Sequence, residues 1–161
     1  MPFPYEIDPV SLETLSVGHD FDGRYRSPTF TAHPKQDRVT GDLVCHGYEA
    51  GGLATDDLRV YLISNEGRVT REIRLKVPYV SMVHDIALTE THIIIPVFPC
   101  ATSLERLRSG AIHWGWDPCL PNYYGVLPRD GEAADVRWFK GPARAVVHAL
   151  ERTDRGGADS S

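Results

Sequence analysis

Ser81-Met82-Val83-His84-Asp85-Ile86-Ala87-Leu88-Thr89-Glu90 runs straight into Thr91-His92-Ile93-Ile94-Ile95-Pro96. The stretch reads as a short turn around His84, then a strand. A histidine followed by an aspartate stands at the mouth of an apolar β run. The imidazole is a candidate metal ligand, and the Asp85 carboxylate is suited to capping local backbone N–H groups. One such histidine is more often a structural residue than a ligand. Two other stretches change that weighting. Thr31-Ala32-His33-Pro34-Lys35 puts His33 51 residues upstream, and Val146-Val147-His148-Ala149 puts His148 64 residues downstream. All three histidines follow or enter apolar segments. Blades of a β-propeller run ~40–50 residues, so the separations amount to one blade or somewhat more. Histidines recurring at that spacing project from successive blades toward one axis, where a metal ion would gather them.

The bulk composition sets limits. A chain of 161 residues suits one ordinary domain. Its 42% hydrophobic and 24% charged residues are those of a soluble globular protein. A net charge of −5 offers no basic footprint for nucleic acid. The longest apolar run, residues 93–100, is broken by Pro96 and Pro99, so no transmembrane segment is expected. The start, Met1-Pro2-Phe3-Pro4-Tyr5-Glu6, has no basic region and no apolar signal core. Cys45, Cys100 and Cys119 are odd in number and far apart, with no CxxC pair. That argues against a disulfide framework or zinc ribbon and for a reducing, cytoplasmic setting.

Turn signals at Asp8-Pro9, Phe21-Asp22-Gly23 and Thr40-Gly41-Asp42 punctuate the first third of the chain. Residues 29–33 read as a short strand ended by Pro34, and residues 43–48 as the next. Residues 58–63 and 69–77 read as a hairpin closed by Asn65-Glu66-Gly67, with Gly67 supplying positive φ. Its second arm alternates at Ile73, Leu75 and Val77 and carries charge on the other face, so it is expected half buried. Residues 102–110 form the one helical or irregular polar insert, with Leu104 and Leu107 three apart. Residues 123–129 and 136–139 read as strands about the turn Arg129-Asp130-Gly131, and residues 143–148 as a last strand. The expectation is an all-β domain of repeated antiparallel sheets over residues 1–151, with a disordered Gly-, Asp- and Ser-rich tail over residues 152–161.

At this point the residues carry a resemblance. In order they are Leu12-Glu13-Thr14, then Thr31-Ala32-His33-Pro34-Lys35 with Asp37 and Thr40-Gly41 beyond it. Met82-Val83-His84-Asp85 and Ala87-Leu88-Thr89-Glu90 follow, then Trp116-Asp117-Pro118, Gly125-Val126-Leu127-Pro128-Arg129, and Trp138-Phe139 before His148. The series resembles the carotenoid cleavage oxygenase family, most of all its bacterial lignostilbene dioxygenase branch, from about Pro4 to His148. The resemblance implies a seven-bladed β-propeller, of which 161 residues would supply about three blades, a fragment with open sheet edges. It implies non-haem Fe(II) on the axis, held by four histidines. Three of these match His33, His84 and His148, and the fourth has no counterpart here. The family's glutamates that hydrogen-bond the ligand histidines are matched by no motif of this chain. The implied reaction is O2-dependent cleavage of a conjugated C=C bond to two carbonyl products. A stilbene-like phenolic substrate is favoured, with a carotenoid or apocarotenoid second. The rival reading is a truncated, non-catalytic propeller fragment lacking the fourth ligand. After His148 the family pattern breaks, and Ala149-Leu150-Glu151-Arg152-Thr153-Asp154 leads into the polar tail.

Imidazole ligands suit Fe(II), and neutral ones leave its charge uncompensated by protein carboxylates. No side chain is singled out as catalytic beyond this metal set. His19, His46, His92 and His113 match no ligand motif and are expected to be surface or structural. Asp85 is expected either to cap its own turn or to support a ligand, and Lys35 to pair with Asp37. Trp114 and Trp116 are expected in core packing or along a hydrophobic tunnel.

Overall fold

The computed structural model describes residues 3–149, so the expected tail over residues 152–161 lies outside the described residues. Two short strands, β1 (Tyr5–Ile7) and β2 (Thr14–Val17), form an antiparallel pair. Next come β3 (Lys35–Gln36), β4 (Leu43–Tyr48), β5 (Asp57–Ile63) and β6 (Val69–Lys76), one antiparallel meander in chain order. The strands β7 (Ala87–Leu88) and β8 (His92–Val97) begin a second sheet. An excursion follows, in which β9 (Cys100–Ala101) pairs with β10 (Gly115–Trp116) and the helix α1 (Leu104–Arg108) lies between them. Finally β11 (Asn122–Pro128) and β12 (Arg137–Gly141) complete the second sheet in the order β7–β8–β11–β12. Each four-stranded antiparallel sheet has the strand number of a propeller blade, and the chain folds as part of a β-propeller.

Side-chain alternation decides how the blades stack. Along β4 and β5, Val44, Tyr48, Leu58 and Val60 point to one face, where Ile73, Leu75 and Val77 join them. They pack against Val83, Ile86, Ile93, Ile95, Val97 and Leu127 of the second sheet and its approach. The opposite face of the first sheet presents Cys45, Tyr61 and Ile63, and the N-terminal segment covers it with Phe3, Phe21, Tyr25 and Phe30. The chain comes closest where residues 27–31 cross β4. A Cβ at Gly47 would overlap Ser27 Oγ and the Thr29 carbonyl, so only glycine lets this segment lie flat. Thr29 Oγ1 donates to the Tyr48 carbonyl at 2.5 Å, and Thr31 N–H to the His46 carbonyl at 2.8 Å.

Two side-chain clamps join the blades at their rims. Arg129, after β11, forms an ion pair with Asp37, after β3. Arg71 on β6 donates to the Arg129, Asp130 and Gly131 carbonyls and pairs with Glu132 at 2.8 Å. Pro96 sits on β8 beyond the end of β7, where its missing N–H costs no ladder bond on that side.

Two expected strands are absent. Residues 29–33 form no ladder, because local hydroxyls compete for their backbone: Thr31 Oγ1 takes the His33 N–H at 3.0 Å. The strand begins only at Lys35. Residues 143–148 are likewise irregular, since Pro142 carries no N–H and the Arg144 N–H goes to Asn122 Oδ1 at 2.9 Å. The helical insert is α1, capped by Ser103, whose hydroxyl accepts the Arg106 N–H at 3.1 Å.

Candidate metal centre

Each sheet opens with its short strand, and a histidine stands just ahead of each: His33 before β3 and His84 before β7. The chain leaves the outermost strand of the first sheet, β6, and reaches His84; it leaves the outermost strand of the second, β12, and reaches His148. His84 thus shares one relation to the sheets with His33 and another with His148. The fold brings the three rings together: ligand nitrogens of His33, His84 and His148 all lie within 4.8 Å of one another. His33 Nε2 is 3.0 Å from His84 Nε2. Ring centroids are 4.7 Å apart for His33–His84 and His33–His148, and 5.4 Å for His84–His148. His33 and His84 are half-buried and His148 is exposed.

The donor set fits a divalent transition metal. Imidazole nitrogens are donors such a metal accepts, and the three lie close enough together that one ion could be held by all of them. Burial, reinforced by His33 and His148, lowers the pKa of His84 and favours the neutral ring that a metal requires. Among the described residues no carboxylate hydrogen-bonds any of the three rings.

Two buried groups lie behind the triad. His46 on β4 is fully buried, and its Nε2 donates to the Val83 carbonyl at 2.7 Å, immediately before His84. Burial pushes its pKa down to about 4, so it remains a neutral donor. Its own carbonyl takes the Thr31 N–H, two residues before His33, so one residue of β4 steadies both approaches. Its position on the apolar face shared with Val44 and Tyr48 was the available signal for burial. Asp85 is the second buried group. Its carboxylate accepts the Ile86 N–H at 2.8 Å, as a turn cap would, and also the Ala149 N–H at 2.8 Å and Lys35 Nζ at 3.0 Å. Burial alone would raise its pKa, but these hydrogen bonds outweigh burial and hold it below the usual carboxylate value. Lys35 thus pairs with Asp85, not with Asp37, because Asp37 turns to Arg129 and caps Val39 and Thr40.

The remaining candidates stand elsewhere. His19 lies 3.8 Å from Glu6, His92 meets Thr91 Oγ1 at 2.8 Å, and His113 meets Glu49 at 3.0 Å. Trp114 packs on the inter-sheet core and against Tyr48, while Trp116 is exposed. All three cysteines are free thiols. Among the described residues no helix is long and apolar enough to cross a membrane.

Two blade-like four-stranded sheets with three imidazoles gathered beside them define part of a β-propeller with a candidate metal site. Residues 1–152 match the family described as "Retinal pigment epithelial membrane protein", and the chain belongs to that family. It is 45% identical over 157 residues to "Carotenoid cleavage oxygenase 1" of Neurospora crassa, covering 95% of this chain and 30% of the relative. It is 42% identical over 153 residues to "Isoeugenol monooxygenase" of Pseudomonas nitroreducens, covering 95% and 32%. The crystal structure of Pseudomonas brassicacearum lignostilbene dioxygenase superposes with a TM-score of 0.84 at 45% identity, covering 88% of this chain and 29% of that one. The chain thus spans about 30% of the length of the relatives it matches.

Proposed function

We propose that the chain serves a non-haem Fe(II)-dependent dioxygenase that cleaves a conjugated C=C bond with O2 to give two carbonyl products. The convergence of His33, His84 and His148 carries the proposal. These three residues would hold the iron through neutral imidazoles. Bound iron supplies the redox chemistry with O2 that no protein side chain offers. The protein's own part is to fix the three rings, keep them unprotonated and leave positions around the ion for ligands it does not supply. Burial of His84 and the ties of Asp85 and His46 do this work on the described side of the site.

A stilbene-like phenol is the favoured substrate. Two of the relatives carry the names isoeugenol and lignostilbene, both phenols with a conjugated C=C bond. An apocarotenoid is the second substrate class, supported by the likeness to the Neurospora protein. The test has two parts. Metal analysis of purified chains should show His84→Ala losing most of its iron and His92→Ala retaining it; equal loss in both would overturn the assignment. Incubation of a full-length family protein carrying this segment with a hydroxystilbene under 18O2 should yield labelled aldehydes, and His84→Ala in that protein should abolish them.

A further inference from the structure

All three histidines stand on connections, outside the strands, so something other than ladder hydrogen bonds must set their relative positions. Asp85 is placed to do so. It follows His84 and is 3% exposed. Its Oδ1 accepts the Ile86 N–H and lies 3.0 Å from Lys35 Nζ. Its Oδ2 accepts the Ala149 N–H at 2.8 Å and Lys35 Nζ at 3.0 Å. Lys35 Nζ also donates to the Ala149 carbonyl at 3.3 Å. Lys35 is two residues after His33, and Ala149 is the residue after His148. Each partner in this network therefore sits one or two residues from a different triad histidine.

A buried ion pair is weak evidence for stability, because desolvation offsets its attraction, and apolar residues of similar size often serve a core as well. Its distinctive yield is geometry. Here that geometry joins three connections from different parts of the chain, and every strong acceptor site of the carboxylate is used.

We propose that Asp85 and Lys35 are positioning residues: a buried tether that holds the His33, His84 and His148 connections in register before a metal arrives. The proposal rests on the reading of the triad as a metal site. It goes further in assigning the pre-organisation of that site to an ion pair that touches none of the three rings. Removing the tether loosens the His148 connection first, because residues 142–149 have no ladder of their own.

The experiment compares Asp85→Asn, Lys35→Met and the control Asp37→Asn, which breaks the Asp37–Arg129 ion pair between the blades. Three quantities are read: the Kd for Co2+ by visible absorption, the exchange rate of the Ala149 amide, and the unfolding temperature. Asp85→Asn keeps the shape of the side chain and guards against misfolding. The tether predicts at least about a tenfold loss of Co2+ affinity for Asp85→Asn and Lys35→Met, the scale for loss of a group that orients metal ligands. It predicts faster exchange at Ala149 in metal-free protein for both. Asp37→Asn should lower the unfolding temperature yet leave Co2+ affinity within about twofold. If Asp85→Asn lowers the unfolding temperature while affinity and Ala149 exchange stay at parental values, the pair is fold support alone and the proposal fails. If the parent binds no Co2+, the metal reading fails; unchanged Ala149 exchange in Asp85→Asn would then overturn the tether as well, and faster exchange would confine it to a structural tie.

Discussion

The His33 and His84 arms of the site differ from the His148 arm. His33 and His84 each enter the first strand of a four-stranded sheet, and buried groups stand behind both: His46, Val83 and Ile86. His148 leaves the end of the second sheet on a segment without a ladder, its ring exposed. That segment is held by side chains, Asn122 taking the Arg144 N–H and Asp85 the Ala149 N–H. The difference separates two ways of placing a ligand. Buried packing backs the His33 and His84 connections in addition to their polar ties, whereas the described contacts of the His148 segment are mainly polar. The packing difference predicts a site stiffer on the His33 and His84 side than on the His148 side.

The largest expected effect breaks the stiff side. Ile86 is fully buried in the inter-sheet core, two residues after His84. Ile86→Ala should cost about 4 kcal/mol, the transfer term plus an unfilled cavity, measured by urea unfolding. A loss under about 1 kcal/mol would mean the His84 arm is no better packed than the His148 arm.

The second effect concerns His46. Its pKa falls from 6.5 to about 4 on folding, mainly through burial. The unfolded chain then binds the proton more readily in that window, so stability is full above pH 6.5 and is lost as pH falls toward 4. The groups facing His46 are the Val83 carbonyl and Asp85, which favour its charged form, and His84 and His33, which oppose it. The loss should reach about 3 kcal/mol. Unfolding free energies of the parent and His46→Gln at pH 7 and pH 4.5 isolate it: the drop should shrink in the variant, and equal drops would remove His46 from its role.

These effects also show what the amino-acid sequence could and could not reveal. The spans of β4, β5, β6 and β11 were legible because alternation and turn residues act locally. The three converging histidines were legible because each stands beside an apolar segment and they recur at about blade spacing or somewhat more. What failed was whatever depended on a partner distant in sequence. Residues 29–33 and 143–148 have strand-like composition, yet the Thr31 N–H goes to the His46 carbonyl and the Arg144 N–H to Asn122 Oδ1 instead of into a ladder. Lys35 was matched with the acid two residues away, while its true partner is fifty residues on.

Gly47→Ala gives the third effect, again on the stiff side. The added methyl would drive Ser27 and the Thr29 backbone off β4 and shift the segment that delivers His33. A cost of about 2 kcal/mol is expected, typical of overpacking at a close approach. Weaker Co2+ binding should accompany it, because Thr31 and His33 move together. A stability loss with unchanged affinity would show that the His33 arm is positioned independently of β4.

The smallest effect tests the adjustable side. His148 is exposed, and among the described residues its ring packs against His33 and His84. Without metal, His148→Ala should therefore change unfolding free energy by less than about 0.5 kcal/mol, as exposed substitutions do. Co2+ affinity should nevertheless drop steeply, because one of three nitrogen donors is lost. The two readouts must separate at this position and at no other in the triad: His84→Ala also disturbs packing beside Val83 and Ile86 and should lower both. A metal-free loss above about 1 kcal/mol for His148→Ala would mean that the third arm is packed like the first two. The contrast between a ligand set by the core and a ligand set by polar ties would then be void.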